Sequence, residues 1–432
     1  MENTHDPREV IRGLQQILIN NTIRIGFLFG AGTSMAAYLT NKDGEFVKNK
    51  WNEIDCLIPG VKKMTQLIVD AIEDKDYVNA LEIIKTELED EIEDGEEREN
   101  AFMLENIISS IDQKIKVVGK DTLCGLSKDQ LLDLRNKFQT EIKGLVSVHK
   151  NESIDLEKSS SLHKKFARWI KYASRKNPVE VFTTNYDYLF EIGFESEHLS
   201  YFDGFVGGYK PFFDPISVEN NYKIPDWTRL WKLHGSLGWG YDKKEKKIIR
   251  SRDVNEDGIV IYPSLLKYDD SRKQPYLSYI ERLSSFLKGE DGVLFICGYS
   301  FGDDHINETI INSVTQSKNT TVIALLFEND LDEDSVAIRI GRRSNKFMIC
   351  GRKEALIGGV LGNWQLNREP PKDDFNFIDQ FFDRDSPEPV GEEGEGDEIV
   401  KSTGDLKLVD FRHFVEFLIE LSYPSFGEKY DK

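Results

Sequence analysis

The sequence predicts an α/β fold with a mostly parallel sheet. Short apolar runs, which are typical of buried strands, alternate with stretches whose apolar residues recur at helical spacing. The predicted strands lie at residues 25–29, 179–183, 230–233, 293–297 and 321–327. Most of them lead into glycine, serine, asparagine, histidine or aspartate. Because parallel strands end at one edge of a sheet, we expect a ligand site at that edge.

Size and composition limit the class of protein. A chain of 432 residues is long enough for roughly two or three domains, and 39% hydrophobic with 31% charged residues is an ordinary balance for a soluble protein. The net charge of −20 argues against direct DNA binding, which requires clustered lysine and arginine. The four cysteines form no CxxC pair, so neither a zinc ribbon nor a disulfide framework is predicted.

No apolar run reaches the roughly 18 residues of a membrane span, and the polar N-terminus indicates no signal peptide. We therefore expect a cytoplasmic protein.

The first βα unit contains the most informative stretch. An amphipathic helix is predicted over residues 7–20, followed by the strand at 25–29 and by Gly30, Ala31, Gly32, Thr33 and Ser34. A second helix is expected to begin near Ser34. Glycines in such a turn leave no Cβ between backbone N–H groups and a diphosphate, and the helix start adds free donors. A tight turn without a ligand is the alternative interpretation.

The middle of the chain differs in character. Residues 40–60 are predicted to be an irregular loop that could fold over a ligand. Trp51 in this loop could shield a ring or serve as a surface anchor. Over residues 61–176 charged residues alternate with apolar ones at helical spacing, as in Leu104, Ile107, Ile108, Ile111 and Ile115. We expect a helical bundle here, inserted into the sheet domain. Its acidic run, residues 87–99, is interpreted as a solvated face.

Strand patterns return at residue 177 and continue to about residue 327, with further predicted strands near Trp239, near Ile248 and at 258–262. We therefore expect a discontinuous sheet domain, residues 1–60 and 177–384. Glycine, proline and glutamate dominate residues 385–404, which predicts a flexible acidic linker. An amphipathic helix is expected within residues 405–432, either docked on the sheet domain or placed at an interface.

Four polar motifs follow predicted strands, and residue type suggests a role for each. The turn at residues 30–34 would hold a diphosphate. Gly298, Ser300 and Asp303 would hold the second half of a dinucleotide, with Ser300 or Asp303 on a ribose. Asn185 suits the orientation of a water or a ribose hydroxyl, Asp187 could bond the amide of a leaving base, and His234 is the natural general base. Taken separately, a turn-forming Asn185 and a strand-terminating His234 need no ligand.

At these motifs the chain resembles the sirtuin (SIR2) family over roughly residues 20–330. The family's Gly-Ala-Gly-x-Ser is similar to residues 30–34, and its Thr-Gln-Asn-x-Asp to residues 183–187, with Thr184 in place of glutamine. Its catalytic His-Gly matches residues 234–235 and its late Gly-x-Ser matches residues 298–300. The resemblance implies a Rossmann-like SIR2 domain that cleaves the nicotinamide–ribose bond of NAD⁺. It carries over Asn185 and His234 as the catalytic pair and Thr184 as a cofactor-binding position.

Two departures refine what the resemblance implies. The zinc module of sirtuin deacylases is missing, so no zinc is expected, and the Asp-Phe-Arg loop that deacylases have after the first motif is missing too. The remaining pattern looks like the bacterial SIR2-like antiphage proteins, which implies a homo-oligomeric NAD⁺ hydrolase paired with a separate HerA-like ATPase. The alternatives are a sirtuin-type deacylase or ADP-ribosyltransferase, a non-catalytic sensor of NAD⁺ or ADP-ribose, and a scaffold with a vestigial site.

Overall fold

A computed structural model describes residues 3–38, 56–90, 101–152, 155–159, 161–220, 224–242, 244–251, 274–328, 330–367, 380–384 and 403–422. Its strands, in chain order, are β1 (Thr4–His5), β2 (Arg24–Phe29), β3 (Glu180–Thr183), β4 (Tyr201–Phe202), β5 (Phe205–Val206), β6 (Phe212–Phe213), β7 (Thr228–Lys232), β8 (Trp239–Asp242), β9 (Lys247–Arg250), β10 (Gly292–Cys297), β11 (Thr321–Leu325), β12 (Phe347–Cys350), β13 (Glu354–Ile357), β14 (Val360–Trp364), β15 (Phe382–Asp383) and β16 (Asp405–Leu406).

The main sheet contains ten of these strands, in the order β1-β14-β13-β12-β11-β10-β2-β3-β7-β4. Every pairing from β12 to β4 is parallel. The prediction of an α/β fold with a mostly parallel sheet is therefore confirmed. Two small antiparallel sheets stand apart, β5-β6-β9-β8 and β15-β16.

The sequence analysis did not predict the antiparallel meander at one end of the main sheet. Here β12 pairs with β13 and β13 with β14, and β1 adds a parallel edge strand. The turn between β13 and β14 contains Gly358 and Gly359, with φ of +59° and +82°. Glycine is the residue that adopts such angles without strain. This glycine pair was the available signal for a hairpin.

The helices are α1 (Pro7–Ile19), α2 (Ala31–Met35), α3 (Val61–Asp70), α4 (Lys75–Asp90), α5 (Leu104–Val117), α6 (Lys128–Val146), α7 (Leu156–Ser159), α8 (Ser161–Tyr172), α9 (Leu189–Ser196), α10 (Pro215–Glu219), α11 (Tyr276–Lys288), α12 (Asp304–Gln316), α13 (Val336–Gly341) and α14 (Phe411–Ser422). Helices cover both faces of the main sheet. One face packs against α1, α8, α9 and α14, and the other against α11, α12 and α13. Successive strand residues point to opposite faces, so Phe27 lies in the first core and Leu28 in the second.

Helices α3, α4, α5 and α6 form most of a third hydrophobic core, which also includes Leu189 of α9 and Leu237. Helix α8 also lies within residues 61–176, but it packs on the main sheet and not in this third core. Its Phe166 and Trp169 pack edge-on against Phe27 of the central strand, with ring centroids 5.0 Å and 5.6 Å away. The domain boundaries given by the sequence analysis stay a prediction.

Helix α14 docks on the sheet domain, as one of the two predicted alternatives had it. Its Phe414 is fully buried, and the ring centroid lies 5.8 Å from that of Phe295 in β10. No helix in the described part of the chain is long and apolar enough to cross a membrane. The predicted strand at 258–262, Trp51, most of the loop at 40–60, and the linker through residue 402 lie outside the described residues.

Candidate active site

Register brings the four polar motifs to one level of the sheet. Cys297 of β10 pairs with Phe29 of β2, Phe29 pairs with Thr183 of β3, and Thr183 pairs with Lys232 of β7. These are the last residues of four adjacent parallel strands. The next residues of each strand therefore leave the sheet together. Asn185 and His234 each stand two positions beyond a paired residue, on neighbouring strands.

The turns after β2 and β10 pack directly against each other. The Gly32 amide donates to the carbonyl oxygen of Gly298 at 2.9 Å. A Cβ on Gly32 would lie 2.6 Å from Gly298 Cα, and a Cβ on Gly298, whose φ is +65°, would lie 2.7 Å from the Thr33 nitrogen. A Cβ on Gly30 would overlap the Gly298 carbonyl. The glycines therefore permit close packing of two turns.

This packing alters the expected diphosphate cradle. Helix α2 begins at Ala31, with Gly30 as its N-cap, rather than near Ser34. The Gly32 amide is bonded to Gly298, and the Thr33 amide donates to the Gly30 carbonyl at 3.0 Å. Gly30 has a φ of −115°, so it does not use the left-handed region. The Ala31 and Gly32 positions are half-buried. Diphosphate binding at residues 30–34 stays a prediction.

Asn185 lies at the centre of a buried hydrogen-bond network. Its Nδ2 donates to the Gly30 carbonyl at 3.1 Å, to Thr33 Oγ1 at 3.1 Å and to Ser34 Oγ at 2.9 Å. The Gly30 carbonyl can only accept, and this fixes which end of the Asn185 amide faces the turn. The side-chain oxygen Oδ1 is the atom that can accept a hydrogen bond from a water or a hydroxyl.

Asp187 extends this network by accepting two hydrogen bonds. Its Oδ2 accepts from Ser34 Oγ at 2.7 Å, and its Oδ1 accepts from the Leu189 amide at 2.9 Å, at the start of α9. The Asp187 residue is only 4% exposed. Ser34, expected on a diphosphate, is 2% exposed and connects Asn185 to Asp187. The predicted contact of Asp187 with a leaving base stays a prediction.

The sequence analysis missed Lys232 and Glu191. The Lys232 ammonium is buried and donates to Glu191 Oε1 at 2.8 Å, to the Tyr186 carbonyl at 3.3 Å and to the Asp187 carbonyl. Burial raises the pKa of the Glu191 carboxyl, and the Lys232 charge opposes that shift. The pair holds the loop that carries Asn185. A lysine within the apolar run at residues 230–233 was the available signal.

His234 is paired with Asp303. Its Nε2 lies 2.8 Å from Asp303 Oδ2, and the two residues are 7% and 5% exposed. Gly235, with φ of +95°, turns the chain directly after the histidine. The Tyr186 ring centroid lies 6.5 Å from that of His234. The predicted ribose contact of Asp303 stays a prediction, while its contact with the imidazole was not foreseen.

The loop after β10 is held by its own side chains. Asn307 donates from Nδ2 to the Phe301 carbonyl at 2.7 Å and accepts from the Tyr299 hydroxyl at 3.1 Å. Burial raises the pKa of the Tyr299 hydroxyl, so it stays protonated. Ser300 is exposed, and Thr184 is half-buried with its amide bonded to the Phe29 carbonyl at 3.0 Å. The predicted cofactor contacts of Ser300 and Thr184 stay predictions.

The site combines the side-chain amide of Asn185, whose oxygen is held in one direction, with the imidazole of His234, which is paired with the Asp303 carboxylate. Such a set can place a water and remove its proton, which are the requirements of hydrolysis by general base catalysis. Among the described residues, no group of three or more histidine, cysteine, aspartate or glutamate side chains could hold a metal ion.

Part of the chain is similar to a known protein family. Residues 179–345 match the family model described as a SIR2-like domain. That range contains Asn185, His234 and Asp303, and it leaves out the glycine turn at residues 30–34. No curated protein is similar enough in sequence to match the chain. The match covers less than half of the chain and supports a SIR2-like domain with a Rossmann-type fold.

Proposed function

We propose that the protein is an NAD⁺ hydrolase that cleaves the nicotinamide–ribose bond and releases nicotinamide and ADP-ribose. The shared register of four strand ends is the main support, because it places Asn185 and His234 at the same edge of the sheet as the glycine turn. In doubly wound sheets, dinucleotides bind at this edge where neighbouring connections run in opposite directions. Here the chain passes from β2 to β3 in one direction along the sheet, and from the neighbouring β10 to β11 in the opposite direction.

The proposed reaction relies on position and charge. Nicotinamide leaves with the bonding electron pair as the ribose becomes cation-like. Asn185 Oδ1 accepts a hydrogen bond from the attacking water, and His234 takes a proton from it. The hydrogen bonds on Asn185 Nδ2 fix the direction of its oxygen before substrate arrives, which is the preorganisation that stabilises a transition state.

The proposal extends to biology through the resemblance of the motifs to bacterial antiphage proteins. Depletion of NAD⁺ in the cytoplasm would halt an infected cell, and an unregulated hydrolase would harm its own host. We therefore propose that the protein forms a homo-oligomer and that assembly of this oligomer with a HerA-like ATPase switches the site on. Full-rate hydrolysis by the isolated protein would contradict this regulatory step and leave the assignment of the reaction intact.

Chromatography of the reaction products tests the proposal directly. Purified protein is incubated with NAD⁺, alone and in lysate of cells that express its genomic neighbours, and nicotinamide and ADP-ribose are quantified. We expect Asn185→Ala and His234→Ala each to lower the rate roughly 10²–10⁴-fold, the usual contribution of a positioned acid–base group. Circular dichroism and thermal melting verify that both variants fold.

Exposed residues of the same types provide matched controls. Asn312 and His305 are both exposed on α12, and Asn312→Ala and His305→Ala are expected to keep the wild-type rate. Absence of nicotinamide release by the wild type under every condition would contradict hydrolysis. Formation of O-acyl-ADP-ribose from an acylated peptide would instead indicate a deacylase, and tight NAD⁺ binding without turnover would indicate a sensor.

A further inference from the structure

The hydrogen bond between His234 and Asp303 determines where the imidazole proton lies. An ionised carboxylate can only accept hydrogen bonds, so Nε2, which lies 2.8 Å from Asp303 Oδ2, must carry a hydrogen. In neutral imidazole the other nitrogen then has the lone pair. Within the part of the chain that the structure describes, Nδ1 of His234 makes no hydrogen bond.

The Asp303 carboxylate cannot rotate freely, because its other oxygen caps α12. Oδ1 accepts from the His305 amide at 2.9 Å and from the Ile306 amide at 3.3 Å. The Asp303 backbone carbonyl also accepts from the Tyr299 hydroxyl at 3.3 Å. Each carboxylate oxygen therefore has its own partner, and the helix start orients Oδ2 toward the imidazole.

We propose that Asp303 is a positioning residue that holds His234 in the tautomer with hydrogen on Nε2, so that Nδ1 is the atom that accepts the proton. The catalytic part of this inference rests on the proposed hydrolysis. As the water oxygen bonds to the anomeric carbon, the carbon–nitrogen bond to nicotinamide breaks and its electron pair neutralises the pyridinium nitrogen. The water proton passes to Nδ1 and then to solvent. The Asp303 carboxylate stabilises the imidazolium that exists between these events.

Asp303→Asn reverses the polarity of this one contact. The asparagine keeps its oxygen on the α12 amides, since asparagine is as good an N-cap as aspartate. Its Nδ2 then replaces the carboxylate oxygen that faced His234. Because that nitrogen donates, Nε2 must accept and the imidazole hydrogen must move to Nδ1. We expect folding and NAD⁺ affinity to be retained and kcat to fall on the order of 10²–10⁴-fold.

One measurement tests the assignment of the tautomer separately from the proposed function. Nitrogen-15 NMR of histidine-labelled protein reads the tautomer of His234, with His234→Ala used to assign the signal. The inference requires a pyridine-like Nδ1 in the wild type and a pyridine-like Nε2 in Asp303→Asn. Protonated Nδ1 in the neutral wild-type ring would overturn it, whether or not the protein hydrolyses NAD⁺.

Kinetics then test the catalytic part. Asp304 is exposed in the first turn of α12, so Asp304→Asn removes the same charge one residue away and is expected to keep the wild-type kcat and tautomer. If wild type hydrolyses NAD⁺ and Asp303→Asn keeps its kcat, then Nδ1 is not the proton acceptor and the inference is wrong. Asp303→Ser, which retains a cap without reaching the imidazole, serves if the asparagine variant fails to fold.

Discussion

Ser34→Ala separates two roles that the Ser34 hydroxyl could have. The sequence motif predicts contact with a diphosphate, whereas the structure places this hydroxyl between Asn185 Nδ2, at 2.9 Å, and Asp187 Oδ2, at 2.7 Å. Its removal leaves Oδ2 of a buried carboxylate without this donor. Hydrogen bonds to charged groups contribute about 1.5–3 kcal/mol. We therefore expect the free energy of unfolding to fall by about 2 kcal/mol.

The effect on catalysis should be smaller, because Asn185 keeps two other acceptors in the turn, the Gly30 carbonyl and Thr33 Oγ1. A loss of about 1 kcal/mol in the orientation of its amide corresponds to a fall in kcat of roughly fivefold. The dissociation constant for NAD⁺ should change little, because the hydroxyl is buried within the protein network.

Urea denaturation, isothermal titration with NAD⁺ and steady-state kinetics provide the three numbers. Thr33→Val is the matched variant, since it also removes an acceptor from Asn185 but takes no donor from a carboxylate. It should lower kcat similarly and destabilise less than Ser34→Ala. A tenfold weaker affinity for NAD⁺ with unchanged stability in Ser34→Ala would refute this reasoning and restore the diphosphate contact.

Two further predictions concern stability. Burial of His163 lowers its pKa to about 4, so the folded state disfavours the charged ring and stability is lost as pH falls from about 6.5 toward 4. Urea titrations should show a loss of about 2 kcal/mol in the free energy of unfolding by pH 5. His163→Phe should remove this pH dependence, and the exposed-site variant His305→Ala should keep it. Gly298→Ala places a Cβ 2.7 Å from a backbone nitrogen at φ of +65°, and thermal melting should show a loss of roughly 2 kcal/mol or more. Gly302→Ala, which meets only a serine side chain at 3.4 Å, should melt near the wild type, and equal melting of the two glycine variants would contradict the packing argument.

The central strands could be predicted from sequence, because each is a short apolar run bounded by polar turns. The structure confirms the mostly parallel sheet and places β2, β3, β7, β10 and β11 close to the predicted runs. The edges were harder to predict. β4 and β1 contain two residues each, which is too short for a hydrophobic period to be recognised. In the meander, β12 and β13 have no strict alternation of buried and exposed residues, and β14 is partly exposed.

The strand-end positions of the candidate site residues could be predicted, but their hydrogen-bond partners could not. His234 and Asp303 are 69 residues apart, and Ser34 and Asp187 are 153 apart. Such contacts depend on strand order and register, which no local pattern encodes. Lys232 was overlooked for a related reason, since its function is to donate to the carbonyls of a loop from the neighbouring strand.

The contact between Gly30, Gly32 and Gly298 affects how related sequences should be interpreted. These glycines are required because two backbones touch there, and that requirement persists in any descendant that keeps the sheet, including one that has lost its chemistry. A database search weighted toward the glycines would therefore collect active and inactive relatives together. Under the proposed function, joint retention of Asn185, His234 and Asp303 is the better criterion for an active relative.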